Sequence, residues 1–361
     1  MDTLFTYQTL YNFAEAIFLK IGCNNTDALT ATTTLLSADL RGVDSHGVAR
    51  LSGYVRLYEA NRINSKPNIT IVHETPSTAT INGDAGLGLV VAPHAMQVAI
   101  NKAKTCGTGW VSVNNSNHFG IAGIHAIMAL QHDMIGIAMT NASPLVAPTY
   151  STERMLGTNP IAVAIPAKNE PAFVGDFATT TAANGKLEIL QRKNEAAPLG
   201  WIQDEAGQIS TNANAVKDGG ALLPLGGTKT GGSHKGYILG SIVDVFSAVL
   251  SGANYGPWVP PFVSFLPLIN NLPGKGIGHF FGAMRIDAFR PADDFKTHMD
   301  NWITTFRAAK PINAHVKVVI PGDPEREMEA YRKVNGIPLM QKVIADLNEL
   351  AAKYSIPILT T

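Results

Sequence analysis

Residues Asp39-Leu40-Arg41-Gly42-Val43-Asp44-Ser45-His46-Gly47-Val48-Ala49-Arg50 crowd two aspartates, two arginines, a serine and a histidine into twelve positions. With a helix starting near Ser45, His46, Arg50 and Tyr54 fall at i, i+4 and i+8, close to one face. That face offers an imidazole for proton transfer, a guanidinium able to grip a carboxylate through two hydrogen bonds, and a phenol. The plainer reading is a helix boundary capped by Ser45 and flanked by surface ion pairs. A second cluster, Asn114-Asn115-Ser116-Asn117-His118-Phe119-Gly120, stands between an expected strand and an expected helix. Polar residues at that junction commonly build α/β active sites, and His118 could act as acid or base near neutral pH. Its plainer reading is a turn whose asparagines cap the next helix.

Two more clusters could hold an anion. Asp176-Phe177-Ala178-Thr179-Thr180-Thr181-Ala182-Ala183-Asn184-Gly185-Lys186 supplies hydroxyls, backbone N–H groups and a lysine after a strand. Gly231-Gly232-Ser233-His234-Lys235-Gly236-Tyr237 opens the most apolar helix of the chain, where N–H groups and Lys235 could meet a pyrophosphate. The standard nucleotide fingerprints fail. Gly83-Asp84-Ala85-Gly86-Leu87-Gly88 lacks the G-x-G-x-x-G order, and Gly226 to Ser233 has Gly232 where a P-loop needs lysine. His125 and His132 have no third ligand at metal spacing, so no metal site is expected.

The elements that must carry these clusters read as an α/β core between helical ends. Helices are expected over Tyr7–Ile21, from Asn25 to about Leu40, and over Arg50–Ala60. Strands are expected at Ile69–Val72, Thr78–Ile81, Gly109–Val113, Ile135–Thr140, Ile161–Ile165 and Ala172–Val174, with a late one at Phe280–Asp287. Further helices are expected at Val90–Ala103, Ile121–Gln131, Tyr237–Leu250, Pro291–Arg307, Pro324–Val334 and Pro338–Tyr354. Strands and helices do not alternate as regularly as in a Rossmann domain. The expected organisation is a helical region 1–75, an α/β core 76–287 and a helical region 288–361 that packs with the first. Trp258–Pro273, rich in proline and apolar residues, reads as a packed irregular loop.

Composition limits the function. The 361 residues are 45% apolar and 16% charged, within the globular range. Twenty-eight basic residues balance 28 acidic ones, without the basic excess that nucleic-acid binding draws on. Cys23 and Cys106 cannot form a disulfide framework. No apolar run is long enough for a membrane helix, and Met1-Asp2-Thr3-Leu4 does not begin a secretory signal, so the cytoplasm is the expected location.

Taken together, Asp44-Ser45-His46-Gly47 with Arg50, Asn117-His118-Phe119-Gly120, Thr140-Asn141-Ala142-Ser143-Pro144, Gly157-Thr158-Asn159-Pro160, Asp176-Phe177-Ala178-Thr179, Leu222 to Gly227, Lys235-Gly236-Tyr237 and Pro321-Gly322-Asp323 resemble the malate/L-lactate dehydrogenase family. This family is unrelated to the Rossmann-type enzymes of similar name and includes ureidoglycolate, sulfolactate and diketogulonate dehydrogenases. The resemblance implies a non-Rossmann mixed sheet as the nucleotide-binding core, flanked by a helical domain formed by both chain ends. It implies NAD or NADP as cofactor, NAD slightly preferred, a homodimer, and a small 2-hydroxy acid exchanged with its 2-oxo acid, malate or L-lactate first. Position by position, it implies His118 as the proton acceptor, with His46 competing for that role. Ser45, Arg50, Tyr54 and Asn159 would face the substrate, with Arg50 on its carboxylate. Asp176, Phe177, Ala178, Thr179, Lys235, Pro321, Gly322 and Asp323 would meet the cofactor. Three departures stand out: Asn184 where many relatives have arginine, one extra residue before Lys235, and no acid at Ala142 or Ser143. The family also contains reductases of cyclic imino acids, which would use the same cofactor on a C=N bond.

Overall fold

A computed structural model describes residues 2–360. Strand β1 (Thr3–Phe5) leads into helix α1 (Tyr7–Lys20), where the Thr6 hydroxyl accepts from the Thr9 N–H at 3.1 Å and caps the first turn. Helix α2 (Asn25–Leu40) is capped in the same way by Asn24, whose side-chain oxygen Oδ1 accepts from the Asp27 N–H at 2.9 Å. The expected helix through Ser45 does not form. Two short 3₁₀ turns, Asp44–His46 and Val48–Arg50, are separated by Gly47, and α3 runs only over Leu51–Glu59. The reason is Asp39: its carboxylate accepts from the Val48 N–H at 2.8 Å, and a Cβ on Gly47 would lie 2.0 Å from its Oδ1. The turn is therefore folded onto a buried acid rather than wound into helix.

The core follows as β2 (Thr70–Glu74), β3 (Thr78–Asn82), α4 (Gly88–Cys106), β4 (Thr108–Ser116), α5 (Ala122–Ile127), β5 (Met134–Thr140), β6 (Ile161–Ile165) and β7 (Phe173–Phe177). Helix α6 (Asn184–Lys193), a small sheet of β8 (Ile202–Gln203), β9 (Ile209–Ser210) and β10 (Ala221–Leu222), and helix α7 (Ser233–Asp244) come next, then β11 (Ile277–Arg285). The main sheet has seven strands in the order β2-β3-β4-β11-β5-β6-β7. Only β3 and β4 run parallel; every other neighbouring pair is antiparallel. This is the expected mixed, non-Rossmann sheet. Late in sequence but central in space, β11 is buried along most of its length because neighbours flank it and helices cover both faces. Alanines of α4 and α5 pack on one face with Val111, Val113 and Phe281.

A separate apolar cluster joins the two ends of the chain. Leu10, Ile17, Leu36 and Leu51 pack with Val343, Leu347 and Leu350 of a C-terminal helix. Residues 288–361 do not pack there as one piece. Helix α8 (Ala292–Arg307) lies instead against the edge of the main sheet, with Trp302 edge-on to Phe173 and Asp300 accepting the backbone N–H groups of Lys168, Asn169 and Glu170. Helix α9 (Asp323–Asn335), strand β12 (Ile337–Leu339) and helix α10 (Gln341–Tyr354) are the parts that meet the N-terminal helices, and β12 pairs with β1. Among the described residues no helix is long and apolar enough to cross a membrane.

Candidate active site

Four parts of the chain bring the sequence clusters together. Strand β4 ends at Ser116 and delivers His118 two residues later. Asn117 fixes that strand end, its side-chain N–H groups donating to the carbonyls of Ala85 and Gly86 at 2.9 and 3.0 Å. The 3₁₀ turns deliver His46 and Arg50, α3 delivers Tyr54, and the proline-rich loop delivers Phe262. The His46 and His118 rings stack with centroids 5.7 Å apart. Phe262 lies 4.7 Å from the His118 ring and 5.2 Å, edge-on, from Tyr54.

Tyr54 is fully buried, and its phenolic oxygen lies 2.6 Å from His118 Nδ1. That leaves Nε2 for the cavity, a small one of about 70 Å³ lined by His46, Arg50, His118, Ala142, Ser143, Thr158, Gly185 and Phe262 among others. Tyr54 therefore holds the histidine rather than reaching the cavity, which revises its expected place on the substrate. Asn159 is likewise fully buried: its oxygen accepts from the Ala142 N–H at 3.2 Å and its nitrogen donates to the Gly240 carbonyl at 2.9 Å. Its amide shapes the cavity wall from behind.

Protein surrounds both histidines except for one edge of each open to the cavity. Burial holds His118 well below its usual range, helped by the charges of His46 and Arg50. Burial and Arg50 bring His46 down to about 4. Both rings are neutral at pH 7, as proton acceptors must be. Ser45 Oγ lies 2.9 Å from His46 Nδ1, so that ring too is held at one nitrogen.

Arg50 is oriented by its own turn, Nε donating to the Ser45 carbonyl at 2.6 Å. Its terminal nitrogens reach the Glu188 carboxylate of α6 at 3.1 and 3.3 Å, and Asn184 donates to the same carboxylate at 2.9 Å. Helix α6 approaches closely because residue 185 is glycine: a Cβ there would stand 2.4 Å from Ser45 Cβ. Glu188 and Phe262 escaped the sequence reading. Glu188 lies 138 positions from Arg50, and neither residue belongs to a local cluster of chemical groups.

A second cleft of about 180 Å³ shares His46, Thr158 and Ala183 with the first. Asp176, Phe177 and Ala178 line it, with Gly120 to Gly123, Arg41, Lys186 and Glu325. The Asp176 carboxylate accepts from the Gly123 N–H at 2.7 Å. It reaches solvent through the mouth of the cleft, yet the surrounding protein pushes its pKa up to about 6. The carboxylate, the apolar strand edge at Phe177 and the cations Arg41 and Lys186 offer a ligand both polar and flat apolar contacts. The remaining expected cofactor residues lie outside this lining. Thr179 is buried and donates to the Asn159 carbonyl at 3.0 Å. Lys235 is exposed on the first turn of α7. The Pro321 carbonyl accepts from the Val174 N–H at 3.0 Å, and Gly322 turns the chain with a φ of +97°. Asp323 spends its carboxylate on the Ile320 N–H, Arg307 and Arg326. Among the described residues no cluster of acids, histidines and cysteines is arranged to hold a metal.

Residues 5–348 match the protein family described as malate/L-lactate dehydrogenase. The chain is 41% identical to a malate dehydrogenase of Pyrococcus abyssi over 96% of this chain and 94% of that one. It is 36% identical to a malate/(S)-sulfolactate dehydrogenase of Methanothermus fervidus over 95% of each. The crystal structure of malate dehydrogenase from Entamoeba histolytica superposes with a TM-score of 0.92 at 32% identity, covering 100% of both chains.

Proposed function

Given that the chain belongs to the malate/L-lactate dehydrogenase family, and is therefore an oxidoreductase acting on a hydroxy acid, we propose that malate is its substrate, L-lactate its second choice, and NAD its electron carrier. One observation carries this reading. The small cavity holding a neutral imidazole and a guanidinium shares His46, Thr158 and Ala183 in its lining with the larger cleft beside Asp176. An acid in the first and a flat ring in the second would meet across that shared wall. A nicotinamide, when bound, supplies the acceptor for the hydride that leaves C2.

The chain's own groups do the rest. Arg50 fixes the C1 carboxylate, placing the C2 hydroxyl against His118. His118 Nε2 takes the hydroxyl proton as the C2–H bond breaks, and the Tyr54 oxygen accepts from Nδ1–H and steadies the imidazolium. In the reverse direction Nε2–H returns the proton to the keto oxygen. Arg50 also depresses both histidines; a bound carboxylate cancels that charge and makes His118 more basic when the substrate is in place. His118 is favoured over His46 as the acceptor because a buried phenol braces it. Lys235 and Pro321 to Asp323 are proposed to frame the cofactor from outside the cleft, Asp323 by holding its own turn. The exposed apolar strip of Ile238, Ile242, Val245, Phe246 and Val249 supports the expected homodimer.

The test is a panel of malate, L-lactate, sulfolactate and a cyclic imine, each with NAD(H) and NADP(H). His118→Ala should lose at least a hundredfold in kcat while binding the cofactor as before. Near-wild-type turnover would remove His118 from the mechanism, and a preference for the imine would replace the reaction.

A further inference from the structure

Next to the small cavity lies an open cleft of about 480 Å³ that shares Arg50, Phe262 and Val263 with it. Its walls carry Arg50, Arg56, Arg192, Lys217 and Lys342 against Glu188 and Asp346. Glu188 is paired with Arg50. That leaves four cations facing one carboxylate, in a chain whose formal net charge is zero. None of the four makes a salt bridge among the described residues. Arg56 is held by the Phe262 carbonyl at 2.5 Å and Lys217 by Gln191 at 2.6 Å. They come from α3, α6, the loop before β10 and α10, so the concentration of charge is made by the fold and not by a basic run in the sequence.

We propose that this cleft is the mouth of the active site, an electrostatic vestibule that gathers acidic substrates and hands them to Arg50, favouring those with two negative charges. It rests on Arg50 as the holder of the substrate carboxylate. Low-dielectric walls lined with one sign of charge concentrate counter-ions, and the attraction scales with ligand charge. A dianionic acid therefore gains about twice the field energy of a monoanionic one. Arg56 also braces the Phe262 carbonyl, so the sharpest probes are Arg192 and Lys342, which touch no residue of the proton-transfer group.

The experiment compares the double variant Arg192→Gln/Lys342→Gln with the wild type. A control, Lys20→Gln/Lys310→Gln, removes the same charge from exposed positions elsewhere. At about 10 mM ionic strength the cleft variant should lose roughly tenfold in kcat/KM for malate and about threefold for lactate, with kcat unchanged. The difference should shrink towards nothing at ~0.5 M salt, and the control should match the wild type. Equal kcat/KM in the cleft variant and wild type, or an equal loss in the control, would overturn the vestibule. Calorimetric titration with malonate against acetate gives the same comparison without turnover. A wild type that oxidises neither acid would thus sink the proposed function while the malonate result still judges the cleft.

Discussion

Tyr54→Phe isolates the bond between the phenol and His118. The substitution removes one oxygen and keeps the ring, so the edge-on packing against Phe262 at 5.2 Å survives and the fold should hold. What is lost is a hydrogen bond 2.6 Å long to the nitrogen that becomes part of an imidazolium during proton transfer. Hydrogen bonds to charged groups contribute about 1.5–3 kcal/mol, which corresponds to roughly 10- to 150-fold in rate. Because the imidazolium forms only as the reaction proceeds, the loss belongs in kcat; Arg50 is untouched, so KM should stay within about twofold. Removing the oxygen that accepts from Nδ1–H also makes His118 less basic, so the acid limb of the kcat/KM profile should move to lower pH. Steady-state malate oxidation between pH 5 and 9, followed by nicotinamide absorbance, reads all three quantities. A kcat within twofold of wild type and an unmoved acid limb would refute the bracing role. A large fall in Tm instead would assign the phenol to stability.

Gly185→Ala places a methyl 2.4 Å from Ser45 Cβ and 3.0 Å from an Arg50 terminal nitrogen. It should cost about 1–3 kcal/mol of stability and raise KM for the acid more than it lowers kcat; an unchanged KM would show that α6 does not set the Arg50 position. His125 and His279, both buried, are held down to about 4 and about 3. The unfolded chain takes up their protons near pH 6.5 and the folded chain does not, so their stability is fully present above 6.5 and drains away as the pH falls towards those values. For His125 the difference between 6.5 and about 4 amounts to about 3 kcal/mol. His125→Gln should flatten the slope of Tm against pH over this window, and an unaltered slope would count against the shift.

Short-range chemistry was legible in the sequence. The clusters around His46, Arg50, His118 and Asp176 each lie within a dozen residues, and their order along the chain carried the family resemblance. The helix phase through Ser45 was not legible, because a side chain eight residues upstream of Gly47 decides it. Asp39 folds the turn by accepting the Val48 N–H, and no periodicity reports that. The same holds for α6, which the sequence reading does not mark, since Asp176 to Lys186 stands out only as a cluster of anion-binding groups. Its helical character rests on Leu187, buried against the small sheet. Phe262 sits in a proline-rich stretch that reads as a packed loop, and only the assembled fold shows its ring against His118. Spacing marks Tyr54 on the same face as His46 and Arg50, but its contact with His118 comes from the fold, since spacing on a face cannot tell a group that touches a ligand from one that touches the residue beside it. The mixed character of the sheet agreed with the failed glycine fingerprint, whereas β1 and β12 are too short for any pattern to mark.

The Arg332 guanidinium of α9 donates to the Asp39 carbonyl and pairs with Asp44, on either side of the bend that leads into the His46 turn. With β12 closing on β1, this means that the bend before His46 is fastened by a residue 293 positions further along the chain than Asp39. A nascent chain that has just extruded β11 already owns the whole main sheet and both histidines, but not the clasp that sets them. Such distant pairings close late in folding. The growing polypeptide can thus assemble its scaffold on the ribosome before the bend that carries His46 is set, which waits for α9 and β12.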